Sequence, residues 1–99
     1  MNALVSDIMI LEFLVRPDVR EVLFQLIWGD RFETDLKSNM TSDDNFEDIR
    51  ETLLKEELVY NLRGENNKPY LSLTDKGVAI ISRLYEIERI IEGEDIDTE

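Results

Sequence analysis

The feature of this chain that most restricts its fold is a change in apolar spacing at Val59. Before Val59, apolar residues recur three or four positions apart, as they do on one face of a helix. Residues 59–73 alternate apolar and polar side chains around a five-residue turn at 64–68, and helical spacing returns after Thr74. The pattern predicts several helices, one β-hairpin and a final helix, and 99 residues are enough for one compact core.

The helices that precede the hairpin are bounded by local signals. Residues 3–15 are apolar around most of a helical circumference, which predicts a helix contacted on two sides, with a strand as the alternative. Arg16-Pro17 ends this segment because the residue before a proline avoids the helical region, and Pro17 suits the first position of the next helix. That helix has apolar residues at 19, 22, 23, 26 and 27 and ends at Gly29.

Polar side chains predict where the remaining helices begin. A short helix with apolar positions 32, 36 and 40 starts near Thr34, whose hydroxyl can cap its first amides. The third core helix is capped by Ser42 or Asp43, turns residues 46, 49 and 53 inward, and ends near residue 58. Thr74 caps the final helix, which runs from residue 75 to about 92.

The final helix carries two apolar stripes, one through Ile80 and Leu84 and another through Val78, Ile81 and Tyr85. Two stripes on one helix indicate that one packs on the domain and the other meets a partner, most simply a second copy of the chain. The apolar surplus of residues 3–15 indicates the same. The predicted homodimer interface comprises Leu4, Ile8, Leu11, Ile80, Leu84, Ile87 and Ile91.

The chain accordingly divides into four parts. Residues 1–16 form an N-terminal helix that makes dimer or core contacts, and residues 17–74 form the core with its hairpin. We expect residues 75–92 to form the dimerisation helix and residues 93–99 to form an acidic, frayed tail.

Three stretches resemble a known family. They are residues 22–29 (VLFQLIWG), residues 53–59 (LLKEELV) and, most specifically, residues 70–77 (YLSLTDKG). Over residues 17–88 the chain is similar to the winged helix-turn-helix transcription regulators of prokaryotes, especially archaea. The resemblance implies an α+β, mainly α fold, and DNA binding with the third core helix in the major groove and the hairpin as a wing. One departure is Glu57, where many family members carry glycine.

The charge of the chain opposes this implied function. The 23 acidic and 11 basic side chains give a net charge of −12, which repels a polyanion. The outward positions at the start of the third core helix are acidic, with Asn45 the exception, whereas DNA binders neutralise phosphates with lysine and arginine. Acidic residues are also favoured in the first turn of any helix. The alternative is a basic protein partner bound by Asp44, Glu47, Asp48 and Glu51.

Basic and amide side chains nevertheless collect near the hairpin turn. The DNA-binding candidates are Asn45, Arg50, Lys55, Arg63, Asn66, Asn67 and Lys68. The alternative for Gly64 and the two turn asparagines is that they supply turn geometry alone. Trp28 and the tyrosines are predicted to lie in the core.

Other function classes are disfavoured by composition. The chain contains no cysteine and no histidine, so thiol chemistry and imidazole metal sites are absent, and neither an enzyme, a cofactor nor a metal site is predicted. The apolar run at 8–15 is too short to span a membrane, which predicts a soluble cytoplasmic protein. The low lysine content and high acidity are typical of proteins from salt-rich cytoplasm. The sequence predicts a dimeric DNA-binding regulator whose contacts are led by the wing, or alternatively a protein-interaction module that does not bind DNA.

Overall fold

The computed structural model describes residues 3–93, with side chains from residue 8 onward. Five α-helices and three strands form the described part of the chain. They are α1 (Ala3–Leu14), α2 (Pro17–Ile27), β1 (Arg31–Phe32), α3 (Glu33–Ser38), α4 (Phe46–Lys55), β2 (Val59–Arg63), β3 (Pro69–Leu73) and α5 (Asp75–Ile91). The strands form one antiparallel sheet in the order β1-β3-β2. The predicted mainly α, α+β fold class is confirmed.

The core lies between α2, α3, α4 and the inner face of the hairpin. Phe46, Ile49 and Leu53, the predicted inward stripe of α4, are each no more than 1% exposed. Helix α1 contributes Leu14 and helix α5 contributes Ile81. The other buried members are Val19, Val22, Leu23, Leu26, Leu36, Met40, Leu58, Val59 and Leu71. Because both outer helices add side chains, they belong to the same folded unit as the central helices.

The first boundary follows the sequence signals. Residues 3–14 form a helix, so the strand alternative is wrong. Arg16 is extended, with φ −65° and ψ 138°, and Pro17 occupies the start of α2. Gly29 has φ +132°, a conformation that favours glycine, and this ends the α2 region. In the described residues no helix is long and apolar enough to cross a membrane.

The sequence missed strand β1. Arg31 and Phe32 pair with Leu71 and Tyr70 of β3, so Phe32 lies in a strand and not on the face of a helix. Helix α3 begins at Glu33 without a side-chain cap, and the predicted cap at Thr34 is wrong. A two-residue strand has no measurable periodicity, and its pairing partner lies about 40 residues further along the chain.

Helix α4 is shorter than predicted at both ends. It begins at Phe46, and its N-cap residue Asn45 makes no side-chain cap bond, so the predicted cap at Ser42 or Asp43 is wrong. The preceding segment forms a turn in which the Thr41 amide and hydroxyl both donate to the Glu21 carboxylate. Met40 and Phe46, on either side of this turn, are both buried in the core.

The end of α4 at Lys55 is set by Glu57. Glu57 has φ +61°, the left-handed region, and the amide of Leu58 donates to the carbonyl of Leu53 at 2.9 Å while the amide of Glu57 donates to Leu54 at 3.0 Å. These two bonds form a Schellman motif, in which the left-handed position is usually glycine. The helix therefore ends sharply before residue 58, and Leu58 turns into the core.

The predicted hairpin is confirmed. Strands β2 and β3 pair from Val59↔Leu73 to Arg63↔Pro69, and the turn at 64–68 closes with the Gly64 amide donating to the Lys68 carbonyl at 2.8 Å. Asn66 and Asn67 both have positive φ, 57° and 60°. Asparagine tolerates this conformation better than other side chains, so these residues do supply turn geometry.

The start of α5 is joined to the end of α4. The Thr74 hydroxyl accepts from the Gly77 amide at 2.9 Å, as predicted for a cap, and donates to the Glu57 carbonyl at 2.7 Å. The Thr74 amide donates to the Leu58 carbonyl at 3.0 Å. A Cβ at residue 77 would overlap the same Leu58 carbonyl, so only glycine fits there. One buried residue thus fixes α4, the hairpin and α5 relative to one another.

We expect Glu57→Gly to raise the free energy of unfolding by about 1 kcal/mol, because glycine adopts the left-handed conformation without the steric cost of a Cβ. Urea denaturation measures the change. Glu56→Gly is the matched control: residue 56 has φ −84°, so glycine there should destabilise. If both substitutions change the free energy of unfolding equally, the left-handed conformation of Glu57 is not what limits stability there.

We expect Thr74→Ala to lower the free energy of unfolding by about 1–2 kcal/mol, because it removes the helix cap and the bond to Glu57. Thr74→Ser keeps the hydroxyl and should retain most of the stability. Thermal or urea unfolding of the two variants compares them directly, and an equally large loss in both would show that the methyl group matters instead.

Candidate nucleic-acid interface

The outer face of α4 is acidic in the folded molecule. Glu47, Asp48 and Glu51 are exposed on the helix, and Asp44 is exposed just before it. Their spacing of three, one and three positions places them in one row, which we call the acidic row. In a winged helix this is the face offered to the major groove, so phosphates approaching it would meet carboxylates.

Arg50, a predicted DNA contact on α4, is engaged within the protein. Its Nη1 donates to Glu33 Oε1 at 2.8 Å and its Nε donates to Glu51 Oε2 at 3.0 Å. Burial alone would lower the pKa of Arg50, but these hydrogen bonds to Glu33 and Glu51 outweigh it and raise the pKa above its usual value. The guanidinium is therefore charged but already bonded to two carboxylates of the protein, and the Arg50 side chain is only 24% exposed.

Asn45, the amide candidate at the start of α4, is also held by the protein. Its Nδ2 donates to Asp18 Oδ2 at 3.2 Å, at the first turn of α2. Arg16 pairs with the same Asp18 oxygen at 2.7 Å, and the hydrogen bond from Arg16 holds the pKa of Asp18 below its usual value. Of the α4 candidates, Lys55 is exposed at the C-terminal end of the helix.

The wing tip gathers the other four DNA-binding candidates. Arg63 ends β2 and donates from Nη1 to the Asn67 carbonyl at 3.2 Å, while Asn66 and Asn67 are exposed in the turn. Lys68 is the last residue of the turn, just before β3, and its Nζ lies 5.9 Å from the centre of the Phe32 ring. The hairpin thus brings two cations and two amides to one exposed end of the molecule.

The sequence patterns did not predict the burial of Glu33 or the exposure of several aromatic side chains. Glu33 is 7% exposed although a glutamate at a helix start normally faces solvent, and its partners lie 17 and 28 positions away, which no local pattern signals. Trp28, Tyr60 and Tyr85 are 80%, 56% and 44% exposed, so placing them in the core is wrong, and Tyr70 is half-buried. Trp28 follows the last turn of α2 and Tyr60 lies on an edge strand, where aromatic side chains need not turn inward.

Four of the predicted dimer residues, Leu11, Ile80, Leu84 and Ile87, line a groove between α1 and α5. Its volume is about 430 Å³, and its walls include Leu11 and Leu14 from α1 and Ile80, Leu84 and Ile87 from α5. Ile80 and Leu84 are half-buried against the core, whereas Ile8, Leu11, Ile87 and Ile91 are 47%, 56%, 53% and 77% exposed. The side chain of Leu4 lies outside those the structure describes. The groove is lined mainly by apolar side chains, with Glu56, Lys76 and Arg83 also on its wall, and we call it the α1–α5 face.

The acidic row does not form a metal site. Within residues 3–93, no group of three or more acidic side chains is arranged to hold a metal ion. The cleft beside the row is lined by Asp43, Asp44, Glu47 and Asp48 together with Lys37 and Phe46. It is an acidic surface of the kind that faces solvent or a cationic partner.

Solved structures share this architecture. The chain is similar to AF1382 from Archaeoglobus fulgidus (TM-score 0.69, 21% identity, 84% of this chain and 97% of that one). It is similar to NMB1585, a MarR family regulator from Neisseria meningitidis, with a TM-score of 0.67 and 24% identity over 89% of this chain and 65% of that one. It is also similar to the transcriptional regulator YodB from B. subtilis in its reduced form, with a TM-score of 0.70 and 17% identity over 96% of this chain and 99% of that one. No family model and no curated protein matches the sequence. The winged helix-turn-helix fold predicted from the sequence is confirmed.

The net charge of −12 should make stability depend on salt, because like charges repel in the compact state. We expect the melting temperature to rise between 0.1 and 2 M KCl, by about 4–8 °C for each 1 kcal/mol gained. The variant with Asp44→Asn, Glu47→Gln and Asp48→Asn should show a smaller rise. If the melting temperature of this variant rises as much as that of the unchanged chain, the acidic row does not cause the salt dependence.

Proposed function

We propose that the chain is a transcription regulator that binds DNA as a homodimer, with contacts led by the wing. The observation that carries the proposal is the convergence of Arg63, Asn66, Asn67 and Lys68 on the exposed tip of the hairpin. Proteins with this fold include ones described as regulators.

The wing leads because the other surface is unsuitable. The acidic row presents carboxylates where phosphates would lie, and Arg50 and Asn45 are bonded to Glu33 and Asp18. Two cations on one wing neutralise too few phosphates for tight binding, since each contact adds only a modest, salt-dependent increment. A second copy doubles the number of wing contacts.

The α1–α5 face supports the dimer. It carries exposed leucine and isoleucine side chains on two helices, and monomeric proteins rarely leave contiguous apolar surface of that kind uncovered. A two-fold axis through it would bring the same face of each copy together and leave both wings free.

A salt-rich, archaeal-like source fits the proposal. At molar salt the screening length is about 3 Å, so the long-range repulsion between a −12 protein and DNA disappears. Only groups in direct contact then matter, which favours a wing contact over one made through the acidic row. DNA binding by this chain should therefore be measured at high as well as low salt.

We expect Arg63→Ala and Lys68→Ala each to weaken saturable binding to genomic DNA fragments several-fold in fluorescence polarisation. Each removes a cation from the wing tip, and the loss should be similar across sequences because a phosphate contact carries no base information. Arg89→Ala is the control, since Arg89 lies on α5 over the Tyr85 ring, away from the wing and outside the lining of the α1–α5 groove. Absence of saturable binding at every salt concentration would refute the DNA-binding function.

We expect the chain to have a dimer mass by light scattering at micromolar concentration. Leu11→Glu and Ile87→Glu should each give monomers, because they place a carboxylate in the middle of the α1–α5 face. Val78→Glu changes another exposed apolar residue of α5 that does not line the groove, and should leave the dimer intact. A monomer mass for the unchanged chain would refute the dimer.

A second candidate function is binding of a basic protein through the acidic row. The row is exposed, and its members Asp44, Glu47 and Asp48 make no salt bridge within the described residues. Asp48→Lys with Glu51→Lys should then abolish capture of a basic partner, whereas Glu12→Lys with Glu86→Lys, which alters charge elsewhere, should not. If the row instead hinders DNA binding, the first pair strengthens binding to DNA and leaves the set of captured proteins unchanged.

A further inference from the structure

We propose that Glu33 is a positioning residue of the DNA interface, whose carboxylate fixes the wing against α4 and withholds Arg50 from the nucleic acid. The inference rests on the proposed DNA-binding function and adds a role for residues within it. It follows from three side chains that come from α3, α4 and β2.

The Glu33 carboxylate is shared between the two elements that would contact DNA. Its Oε1 accepts from Arg50 Nη1 of α4 at 2.8 Å, and its Oε2 accepts from Asn61 Nδ2 of β2 at 2.9 Å. The Glu33 side chain is 9% exposed, so solvent cannot replace either partner readily. This buried carboxylate therefore ties the middle of β2 to α4, in addition to the Thr74 contacts at the base of the hairpin.

The same contact decides what α4 can offer to DNA. Arg50 is the one basic residue in the sequence of α4 before Lys55, and it is held on its inner side by Glu33 and on its outer side by Glu51. To contact a phosphate it would have to leave a buried carboxylate without its charged partner, which is strongly unfavourable. Arg50 consequently stays bonded to Glu33 and does not contact DNA.

Removing the charge of Glu33 should release Arg50. In Glu33→Gln the amide can accept from only one of the two donors and no longer carries the charge that attracts the guanidinium. Arg50 then keeps only the hydrogen bond from Nε to the exposed Glu51, and its Nη groups can add one phosphate contact, which steepens the dependence of log K on log salt concentration by about 0.9. A residue that merely supports the fold would not change this slope in that direction.

The experiment measures the salt slope by fluorescence polarisation on one genomic duplex for the unchanged chain and three variants. We expect Glu33→Gln to bind more tightly and with a steeper slope, and Glu33→Gln with Arg50→Gln to return to the original slope. Asn61→Ala is the matched control, because it breaks the link to the wing and leaves the Arg50–Glu33 pair; its slope should stay unchanged. A steeper slope that persists without Arg50, or no change in Glu33→Gln, overturns the proposal.

A measurement without DNA separates this inference from the function on which it rests. The Nη protons of Arg50 should give distinct, slowly rotating NMR signals in the unchanged chain and a single averaged signal in Glu33→Gln. If no variant binds DNA but this change occurs, the regulator function fails while the hold on Arg50 stands. If the Arg50 signals are the same in both proteins, the inference is wrong whatever the DNA result. Circular dichroism checks that each variant is folded.

Discussion

The junction between the end of α4 and the start of α5 is the constraint on which the rest of the structure depends. Thr74 bonds to the carbonyls of Glu57 and Leu58 and caps α5 through the Gly77 amide. Gly77 has no Cβ and can therefore lie against the Leu58 carbonyl. These contacts close the hairpin at its base, so they set both where the wing extends and where α5 crosses α2. The same few atoms therefore position the wing tip and the α1–α5 face, although the roles proposed for these two surfaces differ.

Within this fold, the distribution of charged side chains decides which surface can contact DNA. The scaffold would permit α4 to enter a major groove, but the acidic row opposes it and the nearby Arg50 is bound to Glu33. The same fold therefore supports different uses depending on a handful of exposed side chains. The wing retains exposed cations and amides, and this asymmetry between wing and helix is the basis of the proposed function.

The parts of the fold that local chemistry determines were predictable. The break at Arg16-Pro17, the inward stripe of α4, the hairpin around residues 64–68 and the Thr74 cap each depend on neighbours within a few positions, and each is found in the structure. The errors at Thr34 and at Ser42 or Asp43 have a common cause. A polar residue near a helix start is a plausible cap in the sequence, yet tertiary contacts occupy the residues before each helix, since Phe32 pairs in a strand and Thr41 bonds to Glu21.

The sequence by itself determined the order of the helices and the hairpin, the net charge of −12 and the acidic character of the α4 face, because periodicity, caps and composition act locally or simply add up. Only the tertiary structure decided that Phe32 belongs to the sheet and that Glu33 is buried. Only the tertiary structure decided that Arg50 and Asn45 are already bonded while the wing residues are exposed. These outcomes depend on contacts between residues 17 to about 40 positions apart. The energy of such a contact exists only once packing has brought the two side chains together, so no pattern along the chain records it.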